Sequence, residues 1–244
     1  MVQSRFHNTC DFTFLQFVIA LAVLVFAIPS VEAQNPEVQA RLQELKASMA
    51  KNKQQLAQYG WTERDVISLK GEDKKEELFQ VRLGPDGKPQ KTNLDPSAVS
   101  DEEGRRHGLK AHIVEKKKEE YKEYAERMKA LMQLYVPPEK ELLEQAYQKG
   151  NVLTGPAGVP NEVKLVLSNY IKPQDSMTLV FDRSQKRLLS MNISSYLDDP
   201  SDAVKLNVNF SVLPDGTNHI SALVIDGVSK HLSVALTNSN YAKL

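Results

Sequence analysis

Val204, Leu206, Val208, Phe210 and Val212 alternate strictly with Lys205, Asn207, Asn209 and Ser211. A period of two sends the apolar set to one face of a strand and the polar set to the other. The same alternation runs through Leu189, Met191 and Ile193 against Ser190, Asn192 and Ser194, and through Leu232, Val234 and Leu236 against Ser233, Ala235 and Thr237. Further strands are expected near 163–170, 177–182 and 219–225. Turn-forming groups separate them: Asp182-Arg183-Ser184-Gln185, Asp198-Asp199-Pro200-Ser201, Pro214-Asp215-Gly216 and Asp226-Gly227. Short strands joined in sequence by turns predict an antiparallel meander over 161–244.

Upstream the period changes. Val38, Leu42, Leu45, Met49 and Leu56 recur at helical spacing, which predicts one apolar stripe on a helix over 37–58. Pro36 suits its first turn and Gly60 ends it. Two strands follow, from Trp61 to Leu69 and from Glu77 to Leu83, joined by Lys70-Gly71-Glu72-Asp73-Lys74. Gly84-Pro85-Asp86-Gly87 is a turn, because Pro presets φ and Asp-Gly supplies the positive-φ step. A short strand over 89–94 completes a small meander. Residues 95–108 are polar and turn-rich, and predict an exposed loop.

Leu109, Ile113, Tyr121, Tyr124, Met128, Leu131 and Tyr135 then keep the spacing of one helix face over 109–135. Pro137-Pro138 stops that helix. A shorter one over 139–149 points Leu142, Leu143, Ala146 and Tyr147 inward, and Gly150 ends it. Gly155-Pro156-Ala157-Gly158-Val159-Pro160 reads as a linker-like connection.

The strands are apolar on one face and rich in Ser, Asn and Thr on the other. Such a sheet must cover its apolar face, and the two amphipathic helical regions supply the cover. The expected fold is α+β: a curved antiparallel sheet with amphipathic helices packed on its apolar face. It forms a single domain over 34–244, made of helix plus small meander (34–94), exposed loop (95–108), helices (109–149) and meander (161–244).

Residues 1–33 change the picture of where the chain works. Arg5 precedes an apolar run from Phe12 to Ile28, Pro29-Ser30 breaks it, and Val31-Glu32-Ala33 fits a cleavage site. This pattern reads as a secretory signal peptide with cleavage before Gln34. The alternative, an uncleaved anchor, meets a run near the lower limit for a spanning helix (~17 residues). The expected location is periplasmic or secreted, with no stable membrane span after cleavage.

Charge excludes rather than assigns. Lys+Arg and Asp+Glu both number 31, and loss of Arg5, Asp11 and Glu32 leaves a net charge of +1. No electrostatic ground exists for nucleic acid as a partner. The only cysteine, Cys10, lies before the apolar run. A matured chain therefore has no disulfide, no thiolate chemistry and no cysteine-based zinc site. Its stability must come from a core, which roughly 210 residues can build.

Catalytic patterns are thin. His112, Glu115 and Glu119 share a helix face, but the run Glu115-Lys116-Lys117-Lys118-Glu119-Glu120 is explained by a solvated, ion-paired surface. Asp198-Asp199 reads as a turn rather than an acid–base pair. His219 and His231, at a strand start and near a turn, are expected to be exposed. No serine sits in a Gly-x-Ser-x-Gly elbow and no glycine-rich phosphate loop occurs. No catalytic residue, metal site or cofactor is expected, and the chain is read as a non-enzyme. The best site signal is aromatic: Trp61, the single tryptophan, together with Tyr121, Tyr124, Met128, Leu131 and Tyr135. Those residues are either core or the wall of an apolar cleft between helix and sheet, where Met adapts and Tyr keeps a polar tip.

An exported chain with an N-terminal helix, an antiparallel meander and helices on one face resembles the periplasmic lipoprotein-carrier superfamily. That resemblance implies an unclosed barrel whose apolar concave side accepts acyl chains. Several stretches also resemble a family of exported bacterial proteins of unknown function. They are Leu56-Ala57-Gln58-Tyr59-Gly60-Trp61-Thr62-Glu63-Arg64, Leu83-Gly84-Pro85-Asp86-Gly87-Lys88, Tyr135-Val136-Pro137-Pro138, Tyr196-Leu197-Asp198-Asp199-Pro200, Leu213-Pro214-Asp215-Gly216-Thr217-Asn218 and Asn238-Ser239-Asn240-Tyr241. It carries no catalytic residues across. The expected function is an envelope carrier for a hydrophobic ligand, whether lipid, acyl chain or lipidated protein. The alternative is an interaction or scaffolding module that docks an envelope protein through the polar sheet face or the 95–108 loop.

Overall fold

The computed structural model describes residues 35–94 and 109–244, with the side chains of 109–114 excepted. The signal-peptide reading of 1–33 and the loop reading of 95–108 lie outside the described residues. Three helices and ten strands follow the sequence expectation closely. Helix α1 spans Pro36–Leu56, and is followed by β1 (Tyr59–Leu69), β2 (Glu72–Leu83) and β3 (Pro89–Asn93). Helices α2 (Leu109–Tyr135) and α3 (Lys140–Gln148) come next. The remaining strands are β4 (Val152–Pro156), β5 (Glu162–Ser168), β6 (Ser176–Asp182), β7 (Arg187–Tyr196), β8 (Ala203–Val212), β9 (Asn218–Gly227) and β10 (Leu232–Lys243).

All ten strands join one curved antiparallel sheet in the order β3-β2-β1-β10-β9-β8-β7-β6-β5-β4. The two expected meanders are thus one. Strand β1 pairs with β10 along almost its whole length, from Tyr59 opposite Lys243 to Leu69 opposite Leu232. Among the described residues β3 and β4 are the two edges, so the sheet is not closed into a barrel.

Local chemistry accounts for the element ends. Asn35 caps α1, its side chain accepting from the Glu37 amide at 2.9 Å, and Pro36 opens the first turn. The β1–β2 connection is a two-residue turn, not the expected five-residue link. Lys70 and Gly71 both take positive φ (55° and 82°), as a type I′ hairpin turn requires, so β2 begins at Glu72. The two Pro-Asp-Gly turns form as expected. Asp86 accepts from the Lys88 amide and Asp215 from the Thr217 amide, while Gly87 and Gly216 take φ of 74° and 86°.

Three further expectations need correction. Part of the linker-like stretch is strand β4, with Gly155 and Pro156 paired to Lys164 and Val163. Proline and glycine are tolerated there because β4 is an edge. In β7 the buried residue is Leu188, not Leu189, because the register slips between Val180 and Phe181 and one residue bulges. Gly227, read as a turn residue, is the last residue of β9.

The core lies between the apolar sheet face and the helices. Val38, Leu42 and Leu45 of α1 join Tyr124, Met128, Leu131 and Tyr135 of α2 and Leu143, Ala146 and Tyr147 of α3. Beneath them stand Leu165, Leu167, Met177, Leu179, Met191, Ile193, Val204, Leu206, Val208, Leu223, Ile225 and Val234. No described helix is long and apolar enough to cross a membrane.

At Gly227 helix α2 and the sheet are in close contact. A β-carbon there would lie 2.8 Å from both Met128 Sδ and Tyr124 Oη, and closer still to the tyrosine ring. Gly227→Ala is therefore expected to cost about 1–3 kcal/mol by overpacking. Urea denaturation would show it as a lower midpoint, and an unchanged midpoint would mean that α2 is not seated as described.

Candidate functional site

The structure divides the aromatic residues predicted as a site. Tyr124, Met128, Leu131 and Tyr135 are buried on one face of α2, and Tyr121 is half-buried on the same helix. Trp61 is also buried, but on β1 and outside the contiguous core that holds the α2 stripe.

Helix α2 is fixed to the sheet near both ends of this stripe. Tyr124 donates to Asp202 Oδ1 at 2.7 Å, and Ser229 shares the same carboxylate oxygen at 2.5 Å. Three turns later Tyr135 donates to Asp175 Oδ2 at 2.5 Å and meets Ser195 Oγ at 2.8 Å. Asp175 also accepts from the amides of Tyr170, Ile171 and Lys172 at 2.6–2.9 Å. That carboxylate locks the β5–β6 loop and holds the tyrosine at once. Burial and the adjacent carboxylate push the Tyr135 hydroxyl well above its ordinary pKa. Between these two clasps the contact is apolar. Methionine is frequent in the core as a whole: Met128, Met177 and Met191 are fully buried, and Met49 and Met132 pack against the same cluster.

A second arrangement surrounds Trp61. Within β1, Asp65 stands opposite Leu236 and Ile67 opposite Val234, so Glu63 and Asp65 share the sheet face of the core. Yet both carboxylates are almost completely buried, at 5% and 3% exposure. Lys91 of β3 reaches over them. It pairs with Glu63, stands 3.6 Å from Asp65 Oδ2, and lies 5.3 Å from the centre of the Phe79 ring. Glu77, on β2, is the cross-strand partner of Asp65 and is paired with Lys75 at 3.0 Å. The Trp61 ring stacks on Tyr241 at 5.4 Å, and Tyr241 in turn tilts against His219 at 4.2 Å.

Three buried polar atoms here have no hydrogen-bond partner among the described residues: Trp61 Nε1, Asp65 Oδ1 and Asn238 Oδ1. Asn238 is directly opposite Glu63. Burial raises the Glu63 carboxyl to about 7, overcoming the opposing pull of Lys91, and Asp65 adds repulsion. His219 is a correction: expected to be exposed, it is buried, and burial holds it below its ordinary pKa. Packing against Tyr241 removes it from solvent.

The remaining candidates fall apart in space. Asp199 accepts from both the amide and hydroxyl of Ser201, which makes it a turn residue, and Asp198 pairs with Arg127. Glu115 and Glu119 are exposed, and the side chain of His112 is outside the described set. Among the described residues no cluster of three potential metal ligands occurs. Sequence reasoning missed Glu63, Asp65 and Lys91. The signal was there: Trp61, Glu63 and Asp65 recur at the period of a strand, which places two acids beside the tryptophan on one face.

No family model matches the chain. No curated protein matches it either. Among solved structures it is similar to a DUF1329 family protein from Desulfovibrio piger, at 11% identity and a TM-score of 0.45, over 84% of this chain and 92% of that one. It is also similar to a LolA superfamily protein from Nitrosomonas europaea, at 11% identity and a TM-score of 0.37, over 85% and 93% of the two chains. These are likenesses of fold, and they assign no ligand.

Glu63 generates a pH prediction. A folded chain holds this proton to about pH 7, whereas an unfolded glutamate releases it near 4.5. The group's contribution to stability is thus full at acid pH and is lost as pH rises across that window. Glu63→Gln, neutral throughout, is expected to shrink the difference in Tm between about pH 5 and about pH 8. Equal pH slopes in the two proteins, measured by calorimetry, would refute the assignment.

Proposed function

We propose that the protein is an exported, non-enzymatic carrier or binding protein of the bacterial envelope for a hydrophobic ligand: a lipid, an acyl chain or a lipidated protein. The observation that carries this reading is the interface between α2 and the sheet. Its buried polar contacts are the Tyr124 and Tyr135 clasps, with the Arg127–Asp198 and Glu120–Lys230 ion pairs on its exposed side, and it packs on a core rich in methionine. Methionine is unbranched and polarisable, so a wall made of it repacks around guests of varied shape. A helix held by two hydrogen-bonded clasps over such a wall can lift without disrupting the sheet ladder. The ligand would then replace the α2 stripe against the concave face. The hydropathy pattern of 1–33 supports a periplasmic or secreted location.

The polar sheet face supports the docking alternative. Asn192 and Ser194 of β7 are exposed there directly opposite Asn207 and Lys205 of β8, and Asn209 is exposed next to them.

Native mass spectrometry of the protein purified from its own envelope, followed by solvent extraction, separates the two. The carrier reading expects a co-purifying lipid at near-stoichiometric occupancy. A clean mass of the unliganded chain, with no subsequent binding of a fluorescent fatty acid, would overturn it in favour of docking.

A further inference from the structure

The buried carboxylates of β1 have an occupant that describes their preferred ligand. Lys91 brings a primary ammonium to Glu63 and Asp65 and sets it against the Phe79 ring. Carboxylates on one side and a ring on the other are the usual surroundings of a bound organic cation. Lys91 does not complete the set. Among the described residues Asp65 Oδ1 is buried without a partner, and a buried unpaired carboxylate oxygen is costly. The Trp61 Nε1–H and Asn238 Oδ1 are also unpaired, so the patch has both a donor and an acceptor to spare. Lys91 belongs to a five-residue edge strand and its side chain is a third exposed, so it can leave without disturbing the core.

We propose that Trp61, Glu63, Asp65 and Phe79 form a binding site for a primary ammonium group on a flexible chain, with Lys91 as its intramolecular stand-in. A primary ammonium carries three donors, enough to satisfy Glu63 and both oxygens of Asp65. The buried position of Glu63, which favours its protonated form, is relieved when an added cation supplies counter-charge. A divalent metal fits less well, because the set offers two carboxylates and an ammonium rather than several oxygen ligands. The ammonium could belong to an aminolipid head group or to a lysine side chain. The site lies apart from the α2 stripe and does not depend on the carrier reading.

Fluorescence of the single tryptophan, Trp61, tests this in the wild-type protein. The probes are dihexanoyl phosphatidylethanolamine, the matching phosphatidylcholine, and Nα-acetyl-lysine amide. A saturable emission change with a primary amine, absent with phosphatidylcholine and lost in Glu63→Gln, upholds the site. A response to the lipid alone assigns a head group, and a response to the lysine derivative alone assigns a side chain. Equal responses to both phospholipids, or no response to any probe, overturn it. Chemical rescue adds a second measurement. In Lys91→Ala, propylammonium at roughly tenfold above its Kd is expected to raise Tm by about 3–6 °C, and propanol is not. Rescue without any wild-type response would make Lys91 a permanent structural partner and overturn the proposal.

Discussion

An open sheet with one apolar face has to be covered, and most of this structure follows from how that is done. Strands β5 to β10 carry their large aliphatic residues on one side, so the helices cannot be ornaments. They close the core. The covering layer is unlike the layer it covers: the strands are tied by continuous backbone ladders, the helices by side chains alone. Helix α1 is held at its far end by Asn52, which bonds to both the amide and the carbonyl of Asn218. Helix α3 is joined to α1 by the Lys46–Glu144 ion pair. Helix α2 has its two tyrosine clasps. Each attachment is polar and local, while the area between is apolar and non-directional. A cover built this way is strong against unfolding yet has few specific bonds to break when it shifts.

The sheet is not uniform in what it hides. Beneath α1, α2 and α3 it is mainly apolar, with Ser195 as the buried hydroxyl that meets Tyr135. On β1 the same face turns acidic, and burial there is an electrostatic problem rather than a gain. Burying carboxylates raises stability only when counter-charge and hydrogen bonds are complete. Here they are incomplete, and the Glu63 carboxyl has moved toward neutrality in response. A protein that needed only a core would place leucine at these positions. The contrast between the methionine-rich core and the acidic patch marks two regions of one face with different chemical demands.

Much of the fold was legible because side-chain period and turn chemistry agree in this sequence. The alternation of Val204, Leu206 and Val208 with Lys205, Asn207 and Asn209 reproduces their burial residue by residue. From Tyr124 to Tyr135 the α2 stripe did the same. What escaped was set by relations between distant segments. Leu188 replaced Leu189 because a bulge is a property of a strand pair, not of a strand. Gly227 read as a turn because nothing local announces that a tyrosine ring will rest on it. The pairing of β1 with β10 has no local signature at all. Without it, neither the stacking of Trp61 on Tyr241 nor the burial of His219 could be foreseen, and the Glu63 cluster looked like ordinary strand polarity.

That pairing also orders the chain in time. Strands β1 and β10 lie side by side inside the sheet, yet they are the first and the last of the ten described strands in chain order. Every other neighbouring pair is consecutive in sequence and can form as a hairpin while the chain is still growing. The β1–β10 seam cannot. It must wait until β10 has been made, and it closes the longest loop between paired strands of the described sheet, which makes it the slow, non-local step of assembly. Until then the β1–β2 hairpin presents an uncovered edge along β1. An incomplete chain is therefore not a smaller version of the protein: it is an open strand edge, the form most prone to pair with another copy of itself.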